Sequence, residues 1–137
     1  MPRLNRILES ALYVEDLARS MRFYRDVFEI EPLLHDDRFC ALNVNGTSVL
    51  LLFQQGTSRT PTPVPGGLIP PHDGSGQLHM AFAVPAEDLT DWEARLTQHG
   101  VTIEARVSWP PGGRSLFFRD PDSHLIELAT PGTWATY

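Results

Sequence analysis

Three ionisable side chains, Glu9, His79 and Glu127, stand in segments with the two-residue alternation of β-strands, and each shares its strand face with at least one alanine. In Glu9-Ser10-Ala11-Leu12-Tyr13-Val14, the residues Glu9, Ala11 and Tyr13 fall on one face, and Leu12 and Val14 on the other. In the run from His79 to Val84, His79, Ala81 and Ala83 face one way while Met80, Phe82 and Val84 face the other. Glu127 lies with Leu125 and Ala129, opposite Ile126 and Leu128. Solvation of a strand face accounts for any one of these residues alone. Together they describe a cup: bulky faces pack helices, and small-lined faces leave room around the charged groups. A divalent cation would offset the cost of desolvating two carboxylates there. Two carboxylates and an imidazole suit a hard or borderline ion, namely Mn, Fe, Co, Zn or Ni, and the sequence does not choose among them. One bound divalent metal held by Glu9, His79 and Glu127 is therefore the central expectation.

The elements that must position these residues repeat. A strand is expected over 7–14, followed by a helix over 17–28 capped by Asp16, with Leu17, Met21, Tyr24 and Phe28 along its inner face. Strands at 32–35, 39–44 and 48–53 follow, the last two joined by an Asn45-Gly46 hairpin turn. After residue 77 the pattern restarts: a strand at 79–84, then a helix at 87–99 with Leu89, Trp92 and Leu96 inward and Gly100 ending it. Strands at 101–106, 115–119 and 125–129 complete it, with Asp120-Pro121-Asp122-Ser123 turning the chain between the last two. A shift of 70 residues lays Glu9 on His79, the mark of an internal duplication. The expected fold is α+β: one domain over 1–137, made of two tandem βαβββ modules, about 5–54 and 78–130, whose curved mixed sheets surround the cup. The Pro- and Gly-rich stretch 55–77 reads as a linker or lid.

Further candidates for chemistry lie near these strands. His72, in Pro71-His72-Asp73-Gly74, is within reach of the cup as a general acid or base, although a surface-loop histidine has the same appearance. Tyr13 shares the face of Glu9 and offers a hydroxyl to substrate. Arg114, after Pro110-Pro111-Gly112-Gly113, suits an anionic substrate group or merely solubilises a turn. Trp109 and Trp134 fit the mouth of the cup or ordinary aromatic packing. His35, His99 and His124 call for no function.

A net charge of -6 excludes binding that works by neutralising phosphates, so no nucleic-acid partner is expected. No segment approaches the roughly 18 apolar residues of a membrane span, so no membrane partner is expected. The single Cys40 allows no intrachain disulfide, and the early residues hold no uninterrupted apolar export segment, so the cytoplasm is the expected location. There is no G-x-S-x-G elbow, P-loop or dinucleotide fingerprint, and Cys40 has no neighbouring histidine to activate it.

The runs Leu8–Leu17 with Ser20–Tyr24, then His79–Val84, then Phe118–Leu128 resemble, in that order, the vicinal oxygen chelate superfamily of glyoxalases, fosfomycin thiol transferases, bleomycin-resistance proteins and extradiol dioxygenases. The resemblance implies metal positions on the first and last strands of each module. The first-strand ligand, often His or Gln there, is Glu9 here. Leu51 falls where module one would repeat Glu127, so three protein ligands remain and coordination sites stay open. The resemblance also implies a homodimer, with Glu9 meeting the partner's His79 and the partner's Glu127. A glyoxalase-like lyase or isomerase acting on a small oxygen-chelating substrate is the leading expectation, with Glu127 or Glu9 moving the proton and His72 in reserve. Ring-cleaving dioxygenase and fosfomycin-type thiol-transferase activities are the alternatives, and a drug-sequestering protein of the bleomycin-resistance type is the rival outside enzymology.

Overall fold

A computed structural model describes all 137 residues. The chain divides into two compact units, Met1–Ser75 and Gly76–Tyr137. In the first, β1 (Glu9–Val14), α1 (Leu17–Phe28), β2 (Pro32–His35), β3 (Phe39–Val44) and β4 (Ser48–Gln54) form a mixed sheet in the order β1-β4-β3-β2. Only β1 and β4 run parallel, because the helix between β1 and β2 supplies the crossover that parallel strands need. The Asp16 carboxylate accepts from the Arg19 amide at 3.0 Å and so caps α1 as expected. Asn45 and Gly46 both adopt left-handed backbone (φ 51° and 67°), which fits a primed two-residue hairpin between β3 and β4.

The inner face of α1 differs from the expected stripe. Its buried residues are Leu17, Ser20, Tyr24 and Val27, and Met21 and Phe28 stand half out. The stripe is rotated by one residue toward Ser20, which is fully buried. Leu12, Val14, Cys40, Leu42, Leu50 and Leu52 are buried beneath. Each aliphatic side chain of this kind contributes about 1.5–3 kcal/mol when withdrawn from water. Burial also pushes the Cys40 thiol up to about 11. The folded protein should therefore leave a disulfide-exchange reagent unreacted at pH 8, with one thiol appearing on denaturation; rapid reaction of the native protein would show that the β3 core opens.

The second unit repeats the first. β7 (His79–Ala83), a short 3₁₀ turn (Ala86–Asp88), α2 (Leu89–Gln98), β8 (Ala105–Ser108), β9 (Arg114–Arg119) and β10 (Leu125–Ala129) form a sheet ordered β7-β10-β9-β8. Its order and its one parallel pair, β7 with β10, match the first sheet. Gly100 ends the α2 segment with φ 70°, as expected. The strand anticipated from 101 starts only at Ala105, because the Val101 amide is drawn back to the Leu96 carbonyl at 2.9 Å.

The 55–77 stretch is more ordered than its composition suggests. It contains a small hairpin of β5 (Thr62–Val64) and β6 (Gly67–Ile69), tied to the first sheet's β2–β3 turn by a 3.2 Å bond from the Arg38 guanidinium to the Thr62 hydroxyl. Proline is tolerated at position 63 because a two-stranded ribbon leaves one edge of each strand unpaired. No helix in the chain is long and apolar enough to cross a membrane.

Candidate metal centre

Strand register brings His79 and Glu127 together. Leu125 pairs with His79 and Glu127 with Ala81, so the two functional side chains leave the same sheet face one step apart. His79 Nε2 lies 3.4 Å from Glu127 Oε2. The other atoms of both groups are taken. His79 Nδ1 lies 2.9 Å from the Leu125 carbonyl, which accepts the proton that this nitrogen carries in the tautomer with Nε2 unprotonated. Glu127 Oε1 accepts from the Ser115 hydroxyl at 2.6 Å, and Ser115 Oγ in turn accepts from the Trp109 indole N–H at 2.8 Å. Ser115 is 1% exposed and Glu127 7%, so this chain of bonds is shielded from water.

The donor set fits a cation. Two ligands each about 2.0–2.2 Å from a common ion stand roughly 3.0–3.4 Å apart, which the observed Nε2 to Oε2 spacing meets. A histidine fixed by a backbone carbonyl and a carboxylate fixed by a hydroxyl have the outer support that metal ligands require. A cavity of about 480 Å³ opens above the pair, walled by Trp109, Pro110, Pro111, Phe117 and Trp134. The Phe117 ring lies along His79, centroids 6.3 Å apart. Gly113 makes this wall possible, since any side chain on it would collide with the backbone of Gly132 and Thr133.

Glu9 begins β1 in the first unit and is exposed. No three His, Cys, Asp or Glu side chains gather within one chain in a cluster able to hold an ion. The sheet face that carries Glu9 comes in three rows, given by the pairing of β1, β4 and β3: Glu9–Val49–Asn43, Ala11–Leu51–Ala41 and Tyr13–Phe53–Phe39. Leu51 thus occupies in the first sheet the register position that Glu127 holds in the second.

His72 sits over the third row. Its Nδ1 is 2.7 Å from the Tyr13 hydroxyl, and its ring meets Phe53 edge-on at 4.6 Å. Tyr13, Phe53 and Phe39 stack in turn at 5.9 and 5.7 Å. Its own amide donates to the Ser58 carbonyl at 2.9 Å, and the next residue, Asp73, is clamped by Arg59 at 2.6 Å. The Arg59 hydrogen bond is the main reason that the Asp73 carboxyl titrates below its ordinary range. This clamp is therefore complete at neutral pH and releases only as acid protonates Asp73 below the normal carboxylate range. Burial first, and the Asp73 charge second, raise the Tyr13 hydroxyl, keeping it protonated.

Gly74 lets the strap lie against the Tyr13 ring, because a Cβ there would strike Cδ2 and Cε2. A Gly74→Ala substitution should cost about 1–3 kcal/mol and break the Tyr13–His72 bond. Thermal unfolding and the imidazole proton shifts of His72 check this; unchanged shifts would show that the strap has slack.

Of the other expected residues, Trp109 and Trp134 line the cavity, whereas Arg114 does not. Arg114 is exposed and alternates with the buried Leu116 and Phe118, so it leaves β9 on the face opposite Ser115 and Phe117. Ser115 and Phe117, which sequence pattern alone does not single out, follow from the β9–β10 register once Glu127 is placed against Phe117. His124 is fully buried, and its Nδ1 accepts the Leu78 amide at 2.9 Å, fixing the chain just before His79. A larger hollow of about 640 Å³, beside α1 and the β2–β3 turn, contains none of the expected site residues.

Two βαβββ repeats, each a sheet with helix-covered and open faces, define the glyoxalase type of fold. The chain belongs to the Glyoxalase/Bleomycin resistance protein/Dioxygenase superfamily, whose sequence pattern matches residues 3–128. It is similar to metallothiol transferase FosB of Bacillus licheniformis, 31% identical over 118 residues, covering 85% of this chain and 70% of that protein. It is 30% identical over 121 residues to catechol-2,3-dioxygenase of Bacillus subtilis, covering 85% of this chain but 38% of that longer protein. Among solved structures, lactoylglutathione lyase from Agrobacterium tumefaciens superposes with a TM-score of 0.88 at 29% identity, over 98% of this chain and 99% of that one.

Proposed function

We propose that the protein is a divalent-metal-dependent enzyme of the glyoxalase-like type, acting on a small substrate that chelates through vicinal oxygens. The observation that carries this is the spacing and fixation of His79 Nε2 and Glu127 Oε2, each with its second polar atom already bonded. Glu9 is the third ligand, supplied across a homodimer: the Glu9 of one protomer joins the partner's His79 and the partner's Glu127. Three protein ligands leave positions for substrate. When bound, the ion supplies Lewis-acid stabilisation of oxyanion or enolate charge developing on the substrate.

The chain's own residues do the rest. Ser115 and the Leu125 carbonyl hold the ligating atoms at their stations. Trp109, Phe117 and Trp134 exclude water from the reacting end. Glu127 or Glu9 accepts the proton from the substrate carbon and returns it, which gives lyase or isomerase chemistry. The 31% identical metallothiol transferase supports a second reading, thiol addition to a small electrophile. The apolar wall around the metal pair supplies no cation for an anionic substrate, which is why the first reading is preferred.

Turnover by metal-loaded protein should be measured on methylglyoxal with several thiols, on catechols under oxygen, and on fosfomycin with thiols. Metal-dependent isomer or lyase product supports the proposal. Product only from catechol and oxygen, or only from fosfomycin, would replace it with the corresponding alternative, and tight drug binding without turnover or metal would replace it with sequestration.

A further inference from the structure

The three rows on the Glu9 face of the first sheet also describe what the substrate looks like. Glu9 stands in the first row. Four residues along the same strand, about 13 Å at the usual strand rise, Tyr13 stands in the third. Between them the floor is Ala11, Leu51 and Ala41, with no polar side chain, because leucine occupies the place where the second sheet has Glu127. A group that lies over the third row cannot serve atoms held at the first. His72 is such a group, and its place beside Tyr13 and Phe53 takes it away from proton transfer at the metal.

We propose that the Tyr13–His72 pair is a recognition subsite for the far end of an elongated, mostly apolar substrate. Chelating oxygens sit at the Glu9 end, an apolar middle lies on Ala11, Leu51 and Ala41, and a neutral carbonyl-type acceptor at the other end takes a hydrogen bond from His72 Nε2–H. This rests on the metal reading above and extends it to substrate class.

The local chemistry specifies the donor. The Tyr13 hydroxyl and His72 Nδ1 share a 2.7 Å hydrogen bond; we assign the hydroxyl as its donor, which places the neutral imidazole's proton on Nε2. Nε2, across the ring, has no protein partner. Tyr13 and Phe53 hold the ring, while the Ser58 carbonyl through the His72 amide and the Arg59–Asp73 clamp one residue on hold its backbone. A donor so fixed loses little entropy on binding. Asp73, although paired with Arg59, still places a carboxylate beside the pair and acts on Tyr13, so a neutral acceptor fits better than an anion. Tyr13 is on this account a positioning residue that sets the tautomer of His72.

Two measurements test it. The first is the tautomer of His72 by long-range proton–nitrogen NMR on the metal-free protein. Nδ1 is expected unprotonated and Nε2 protonated, with Tyr13→Phe giving a mixture; a proton on Nδ1 in the wild type would overturn the assignment. The second is binding of zinc-loaded, dialysed protein to acetohydroxamate and to a series of ω-carbamoyl alkyl hydroxamates of increasing length. Affinity should rise roughly tenfold over acetohydroxamate at the chain length that spans the three rows, and fall again beyond it. His72→Ala should abolish that gain, Tyr13→Phe should reduce it, and His72→Gln, which places an amide N–H near the same point, should retain part of it. Affinity independent of chain length, or a gain that survives His72→Ala, overturns the subsite alone. Failure of acetohydroxamate itself to bind overturns the metal reading and the subsite with it.

Discussion

Replacing His79 or Glu127 with alanine is expected to weaken divalent-metal binding by at least about 100-fold, the largest functional effect in the molecule. The two atoms involved stand 3.4 Å apart with their orientations already fixed, so removing either breaks this preformed pair and leaves the other beside Glu9 alone. The two variants should differ in stability. His79 is half exposed, and its removal costs the fold little. Glu127 is buried, and its removal leaves the Ser115 hydroxyl without its acceptor, a loss of about 1–3 kcal/mol. Competition against a chromophoric chelator measures the affinities, and thermal unfolding measures the stabilities. Wild-type affinity in either variant would show that the pair is an ordinary ion pair on a strand face.

The second large effect is expected at Ser115. Its hydroxyl both holds Glu127 Oε1 and receives the Trp109 indole N–H, so Ser115→Ala releases the carboxylate proposed as a ligand and unties the cavity wall. Outer-shell losses of this kind lower metal affinity by about 10–100-fold. A residue that merely packed would change stability and leave affinity alone. The informative outcome is therefore an affinity loss that exceeds what the unfolding data require. Ser115→Thr, which keeps the hydroxyl, should recover part of it. Equal affinities for wild type and Ser115→Ala would remove Ser115 from the site.

Much of this arrangement is visible in the sequence because it depends on local rules. Asp16 before an apolar-periodic run, Asn45-Gly46 between two strands and Gly100 after a helix each act over a few residues, and each behaves as its chemistry dictates. Strand alternation also put Glu9, His79 and Glu127 on faces opposite the helix-packed ones, and the duplication placed Leu51 where Glu127 recurs. What was not legible depended on contacts distant in sequence. The inner stripe of α1 turns on how the helix seats on the sheet, which periodicity alone leaves open by one residue. The strap from 55 to 77 reads by composition as a linker or lid, and Arg59, Asp73 and Gly74 fasten it through partners that include Tyr13, far back along the chain. Ser115 required the exact register of β9 on β10, and Arg114, its neighbour, was the more conspicuous side chain but faces the wrong way.

Glu9 is what makes the central claim more than a statement about the second unit, because the proposed centre takes its third ligand from a strand of the first repeat. The most direct test is the metal content of Glu9→Ala protein, loaded with zinc, passed through gel filtration and compared with wild type and His79→Ala by elemental analysis alongside chain mass. The account predicts about one ion per chain for wild type and substoichiometric metal for both variants. Full wild-type occupancy in Glu9→Ala, with loss only in His79→Ala, would contradict the three-ligand centre.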